Sequence, residues 1–223
     1  MFKFICAASL FLFFATAGLG QEKKVRDTIT YPHQLRLGID LSRPLTHVLS
    51  PERYSYEVQA DWAFRKEIFG VVEGGFGGYT ADYPDLKYKS TNAFIRIGVD
   101  RNIMRRLQPN DWDGGIFGLR YGFAAAQRGA ADYTVGSPVW GYSNGSEAAK
   151  AFYFHWVELT GGMRLELFRN VFAGWNIRGK FMITSLETGD LKPSYVAGFG
   201  VADKSTAFDF NIWLMYALRW ARK

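Results

Sequence analysis

Residues able to do chemistry are few in this chain, and they are scattered. Histidine occurs only at His33, His47 and His155, and the one cysteine, Cys6, lies in an apolar N-terminal run. A cluster of metal ligands or an acid/base relay has little material here, so no metal or cofactor is expected. The one pairing that invites a catalytic reading is Ser146 with His155, as a nucleophile and its base. No motif adds an orienting carboxylate, and Ser146 also fits the turn sequence Tyr142-Ser143-Asn144-Gly145-Ser146. The glycine-rich stretch from Val72 to Gly78 looks like a phosphate loop but lacks the Lys-Ser/Thr that would hold a phosphate. Strand curvature or close packing accounts better for it. The remaining chemistry is charge. Arg36, Asp40, Glu57, Asp61, Arg96, Asp100, Arg120, Glu158, Arg164, Glu166, Arg178 and Asp209 recur at even spacings inside otherwise apolar segments.

Those spacings belong to strands. Phe208, Phe210, Ile212, Leu214, Tyr216, Leu218 and Trp220 alternate with Asp209, Asn211, Trp213, Met215, Ala217 and Arg219. Successive strand side chains point to opposite faces, so one face is continuously apolar and the other is mixed. Eight segments carry this pattern, at 34–44, 54–65, 68–79, 88–102, 114–127, 152–167, 171–184 and 207–220. No segment after the N-terminus reaches the roughly 18 consecutive apolar residues of a membrane helix. The aromatic content is high, with 19 Phe, 12 Tyr and 7 Trp, beside 24 Gly. The expectation is an all-β fold, an eight-stranded antiparallel transmembrane β-barrel of the outer-membrane type.

Alternation alone does not say which face is wet, because a secreted β-sandwich or lipocalin-like barrel also alternates. Strand length favours the membrane, since tilted spanning strands need roughly 9–11 residues within lipid alone. The connections add independent support. Turns at 65–67 and 168–170 are tight and 103–113 is moderate, whereas 128–151 and 185–206 are long. Short periplasmic turns and long external loops are the outer-membrane pattern. The connection from His47 to Arg53 is the short exception. The twelve charged residues named above, with Glu73, Lys180 and Arg219, would then face the barrel interior. Eight strands leave a space that side chains fill, and charge buried there must be paired. The expected interior is thus a plug of ion pairs. Tyr31, Tyr54, Tyr79, Tyr88, Trp112, Trp140, Trp156 and Trp220 read as headgroup-level aromatics. Trp140, Tyr142 and Tyr195, in the long loops, are the interaction candidates on the external side. Arg105 and Arg106 are their counterparts on the periplasmic rim.

The N-terminus reads as an export signal: Lys3, an apolar run from Phe4 to Phe14, then small residues up to Gly20. The expected organisation is a signal peptide over 1–20, a periplasmic segment over 21–33 and the barrel over 34–223. Removing Lys3 takes the formal charge from +6 to +5, which suits anionic lipid headgroups better than nucleic acid. With its alternating strands and Trp-bearing last strand, the chain resembles the small signal-bearing outer-membrane barrels of Bacteroidota, a family of uncharacterised function. It departs from many such barrels in that Trp220 is followed by Ala221-Arg222-Lys223. The resemblance implies outer-membrane localisation and partnership with membrane lipid and other envelope proteins. It also implies a role as subunit of a larger assembly, such as the machinery that inserts outer-membrane proteins. The leading functional expectation is accordingly a non-enzymatic scaffold or complex subunit acting through external loops. A lipid A-modifying enzyme using Ser146 and His155 near the outer rim is the alternative, and a narrow ion channel the third reading.

Overall fold

The structure is a computed structural model that describes residues 33–65, 67–104, 112–184 and 191–220. The expected signal peptide, Tyr31, Arg105 and Arg106 lie outside the described residues. All eight alternating segments form strands: β1 (His33–Asp40), β2 (Arg53–Arg65), β3 (Ile68–Asp82), β4 (Leu86–Asn102), β5 (Gly114–Arg128), β8 (Lys150–Phe168), β9 (Val171–Met182) and β12 (Thr206–Trp220). Each pairs antiparallel with its sequential barrel neighbour. Pairing of β1 with β12, from His33 opposite Trp220 to Asp40 opposite Trp213, closes the sheet. Closure removes the unpaired edges that would otherwise seek partners.

The apolar face points outward. On β4, Ile95, Ile97 and Val99 are half exposed while Phe94, Arg96 and Asp100 are buried. Leu37, Val58, Leu119, Ile177 and Leu214 continue this outer wall around the barrel. Apolar outside and charged inside is the reverse of a soluble barrel. Aromatic groups gather toward both ends of the wall, with Tyr56 against Phe76 and Phe123 against Tyr153 near one end, and His33 stacked on Trp220 at the other.

The two ends differ. At the terminal end lie His33, Trp220 and the tight turns after β2 and β8. Both turns follow a register shift and carry a left-handed residue, Glu67 (φ 62°) and Asn170 (φ 70°). Irregular strand ends of this kind let a short chain reverse with the right twist. The opposite, loop end departs from the sequence reading in three ways. Strand β1 ends at Asp40 and not at 44, because α1 (Ser42–Leu49) begins there. Leu41, Leu45, Val48 and Leu49 recur at helical spacing, which overrides the short strand-like run before them. Segment 128–151 is no bare loop but a β-hairpin, β6 (Ala131–Ser137) and β7 (Gly141–Glu147), held to β4 through Leu86 and Lys87.

The third departure is the connection at 185–206, read from sequence as an exposed external loop. Its described part, 191–206, folds into the barrel mouth through a small pair of strands, β10 (Tyr195–Val196) and β11 (Gly200–Val201). Val196, Ala197 and Phe199 are fully buried against Phe94, Phe154 and Trp156. Ten apolar residues buried together outweigh the solvation of a loop backbone. The glycines of β3 make room for this insert. A Cβ on Gly77 would lie 2.9 Å from that of Ala197 and would collide with the Tyr54 carbonyl, and one on Gly75 would strike the Phe94 ring. Close packing is thus the role of the glycine stretch. Substituting Gly77→Val is expected to lower unfolding stability by about 1–3 kcal/mol in urea titrations, the usual cost of overpacking. Gly161→Val, at a position where a Cβ meets nothing within 4 Å, is expected to leave it unchanged.

Candidate functional site

Strand alternation places the charges inside, and strand register then decides which of them meet. Arg36 lies opposite Asp61, Glu73 opposite Arg96, Arg120 opposite Glu158 and Arg178 opposite Asp209. Long side chains need empty neighbouring positions, and inward glycines supply them. A Cβ on Gly98 would sit 2.6 Å from Arg120, one on Gly118 would collide with Asp100, and one on Gly122 with Trp156.

The result is one connected lattice. Glu73 sits at its centre, where it accepts from Arg120 and from Arg178 at 2.5 Å and forms an ion pair with Arg96, whose Nε lies 2.9 Å away. Arg96 also reaches Glu57 and, at 3.3 Å, Glu158. Toward the terminal end Asp100 receives Arg120 at 3.0 Å and Arg164 at 2.6 Å, and Asp61 receives Arg36 at 2.7 Å. Toward the mouth Arg43 binds Glu57 at 2.8 Å, Asp40 at 3.4 Å and both oxygens of Asp209, which also accepts from Lys180 at 2.6 Å. Lys180 donates further to the Gly198 carbonyl at 2.7 Å, tying the inserted loop to the lattice.

Seven bases (Arg36, Arg43, Arg96, Arg120, Arg164, Arg178, Lys180) thus meet seven acids (Asp40, Glu57, Asp61, Glu73, Asp100, Glu158, Asp209). Apolar layers lie on both sides. Phe172, Trp213 and Met215 close the terminal side, and Phe94, Trp156 and Phe199 close the mouth. Several guanidinium planes lie over these rings, Arg36 over Phe69 at 4.5 Å and Arg96 over Phe94 at 4.7 Å. Among the described residues every member of the lattice has at least one oppositely charged partner, as burial of charge requires.

Several sequence expectations are relocated by this geometry. Trp156 and Tyr88 are buried inside the barrel, where Trp156 donates to Glu158 at 2.6 Å and the Tyr88 hydroxyl meets Ser194 at 2.6 Å, so neither is a headgroup-level aromatic. Tyr195 belongs to the inserted loop, half-buried at the loop end with its ring 6.0 Å from Arg53. Glu166 pairs with Arg219 at 2.8 Å at the terminal end, apart from the central lattice. Trp140 and Tyr142 stand exposed on the β6–β7 hairpin. Ser146 is exposed on β7, opposite Asp132, while His155 lies on the outer wall of β8, its Nδ1 2.5 Å from the Tyr121 hydroxyl and its ring beside Phe123. No hydrogen bond joins Ser146 to His155 among the described residues. Arg43 is the lattice member that the strand pattern did not single out. Its signal was the helical spacing around it, which turns its side chain down into the mouth. There burial works to lower its pKa, and Glu57, Asp209 and Asp40 together hold it well above the ordinary value.

Replacing one member leaves its partners charged and unpaired in a dry space. Glu73→Gln is therefore expected to cost about 3–5 kcal/mol in urea unfolding of the reconstituted protein. Glu147→Gln, which breaks the half-exposed contact with Arg128 at the mouth, is expected to cost less than about 1 kcal/mol.

Solved structures with a similar chain path include outer-membrane barrels. Neisserial surface protein A is 10% identical, with 85% of this chain and 97% of that chain covered at a TM-score of 0.40. The attachment invasion locus protein Ail of Yersinia pestis is 7% identical, with 85% and 97% covered at a TM-score of 0.39. Ail in complex with the heparin analogue sucrose octasulfate gives 7% identity, 84% and 95% coverage and a TM-score of 0.36. No curated protein sequence matches the chain. One family description does match, along residues 1–223 in full, and the chain belongs to that family, described as a domain of unknown function (DUF6048).

Proposed function

We propose that the protein is an integral outer-membrane barrel serving as a scaffold or subunit of a larger envelope complex. The observation that carries this reading is the distribution of polarity: an apolar outer wall surrounds a charge-neutral, solvent-excluded interior. Water would not tolerate that wall, and a bilayer core accepts only closed barrels or helices. The tight turns and the terminal end of the barrel, with His33 and Trp220, then face the periplasm, and α1 and the β6–β7 hairpin lie outside. A filled eight-stranded interior leaves no passage for ions or solutes, so the working surfaces are those outside the lipid.

Of these, the β6–β7 hairpin presents the most exposed aromatic side chain among the described residues. It pairs with β4 at Leu86 and Lys87, and its tip carries Val139, Trp140 and Tyr142, with Trp140 90% exposed. Exposed large aromatics in a cluster are the composition of protein contact sites, where Trp and Tyr dominate the binding energy. Resemblance to the Bacteroidota barrels points to outer-membrane protein assembly complexes as one setting for such a contact. Extraction in mild detergent followed by affinity capture is expected to bring down a stoichiometric envelope protein. A Trp140→Ala/Tyr142→Ala variant is expected to lose it while the barrel keeps its unfolding midpoint. A monomer that captures nothing under these conditions would contradict the reading.

A further inference from the structure

At the loop end, between α1, the β10–β11 turn and the rim formed by β9 and β12, the structure holds a cleft of about 730 Å³. That size lies within the range of small-ligand sites. Its lining is strongly unbalanced in charge. Arg43, Arg53, Lys180 and Lys204 line it against a single carboxylate, Asp209. Asp209 is already shared by Arg43 and Lys180, and Lys180 spends its other donors on the Gly198 and Phe199 carbonyls. Arg53 and Lys204 are different. Beside its ring contact with Tyr195, the Arg53 guanidinium makes one long hydrogen bond among the described residues, 3.4 Å to the Ser50 hydroxyl, and keeps a buried Nε without a hydrogen-bond partner. Lys204 is exposed and forms no ion pair among the described residues. Two uncompensated cations therefore converge on a cleft whose floor is already neutralised.

The other half of the lining is apolar and belongs to the outer wall. Ile177, Phe208 and Phe210 border the cleft, and Phe208 is 83% exposed. Gly179 lies opposite Phe208 in the sheet, which leaves the wall open beside that ring. Alongside, α1 turns Leu45, Val48 and Leu49 away from the barrel, so the apolar surface continues past the rim. A soluble anion has no use for this apolar border, and an acyl chain alone has none for the cations. An amphiphile satisfies both.

We propose that this cleft binds the phosphate-bearing headgroup of an outer-leaflet lipid, with Arg53 and Lys204 on the phosphate and the acyl chains along Phe208, Phe210 and Ile177. Arg supplies a fork of donors that matches phosphate geometry, and Lys a mobile point charge beside it. The lipid clamps α1 and the inserted loop to the barrel rim. The site rests on the membrane placement proposed above. Failure of that placement would appear as a chain that stays dispersed without detergent, a result separate from loss of lipid binding.

The test is native mass spectrometry of the full chain in neutral detergent, titrated with dihexanoyl phosphatidic acid, dihexanoylglycerol or inorganic phosphate. Phosphatidic acid is expected to bind, and Arg53→Ala/Lys204→Ala to weaken it about tenfold or more. Arg53→Lys/Lys204→Arg, which keeps both charges, is expected to retain most of the binding. Lys87→Ala/Lys89→Ala, removing two exposed charges from the rim of β4, is expected to bind as the wild type does. Wild-type affinity in the Arg53→Ala/Lys204→Ala variant would overturn the proposal. So would dihexanoylglycerol binding as tightly as phosphatidic acid, which removes the cations from the site, or inorganic phosphate doing so, which removes the lipid.

Discussion

Charge neutralisation around Glu73 is the constraint on which the rest of this molecule depends. An isolated carboxylate in a dry interior is too costly to keep ionised, and so is an isolated guanidinium. Each of the fourteen lattice groups is tolerable only because opposite charges from other strands lie within hydrogen-bond reach. Glu73 comes from β3, Arg96 from β4, Arg120 from β5 and Arg178 from β9. One carboxylate thus fixes the mutual register of four strands. A slip of one residue on any of them would turn its charged row into the apolar surroundings and its apolar row into the lattice. Ion pairs of this kind add little net stability compared with apolar packing. Their effect here is specificity of register in a barrel whose outer wall, mostly Ile, Leu, Val and aromatics, discriminates poorly between alternatives.

The same lattice explains the elements that are not strands. Arg43 and Lys180 extend it to the mouth, where Arg43 anchors α1 and Lys180 holds the carbonyls of the inserted loop. Val196, Ala197 and Phe199 then cap the charges with apolar surface, and the β3 glycines allow the cap to sit flush. Interior and lid are one structure. The parts free to meet other molecules are the hairpin tip, the outer face of α1 and the cationic cleft beside it.

Much of this was legible in the sequence, and the reason is geometric. Period two is a local property, so the strands and the identity of their two faces can be read from residues such as Phe208 to Trp220 without knowing their neighbours. The charged row of each strand follows directly. What lies beyond local reading is partnership across the barrel: nothing near Glu73 in sequence says that Arg178 will reach it. The 185–206 connection misled for a related reason. Its glycines and polar residues look solvated, and the apolar run Tyr195-Val196-Ala197 becomes a plug only because Gly75 and Gly77, over a hundred residues away, leave space for it. Trp156 was misplaced because it sits near a strand end, whereas alternation with His155 and Val157 would have turned it inward.

Spin-label accessibility in reconstituted vesicles tests most directly whether the barrel wears its apolar face outward against lipid. With Cys6→Ser removing the only native cysteine, single labels would be placed at Ile97, Leu119 and Leu214 on the wall and at Trp140 on the hairpin. Collisions with dissolved oxygen are expected to dominate at the three wall positions, and collisions with a water-soluble nickel chelate at Trp140. Chelate-dominated collisions at Ile97, Leu119 and Leu214 would place that wall in water and contradict the account.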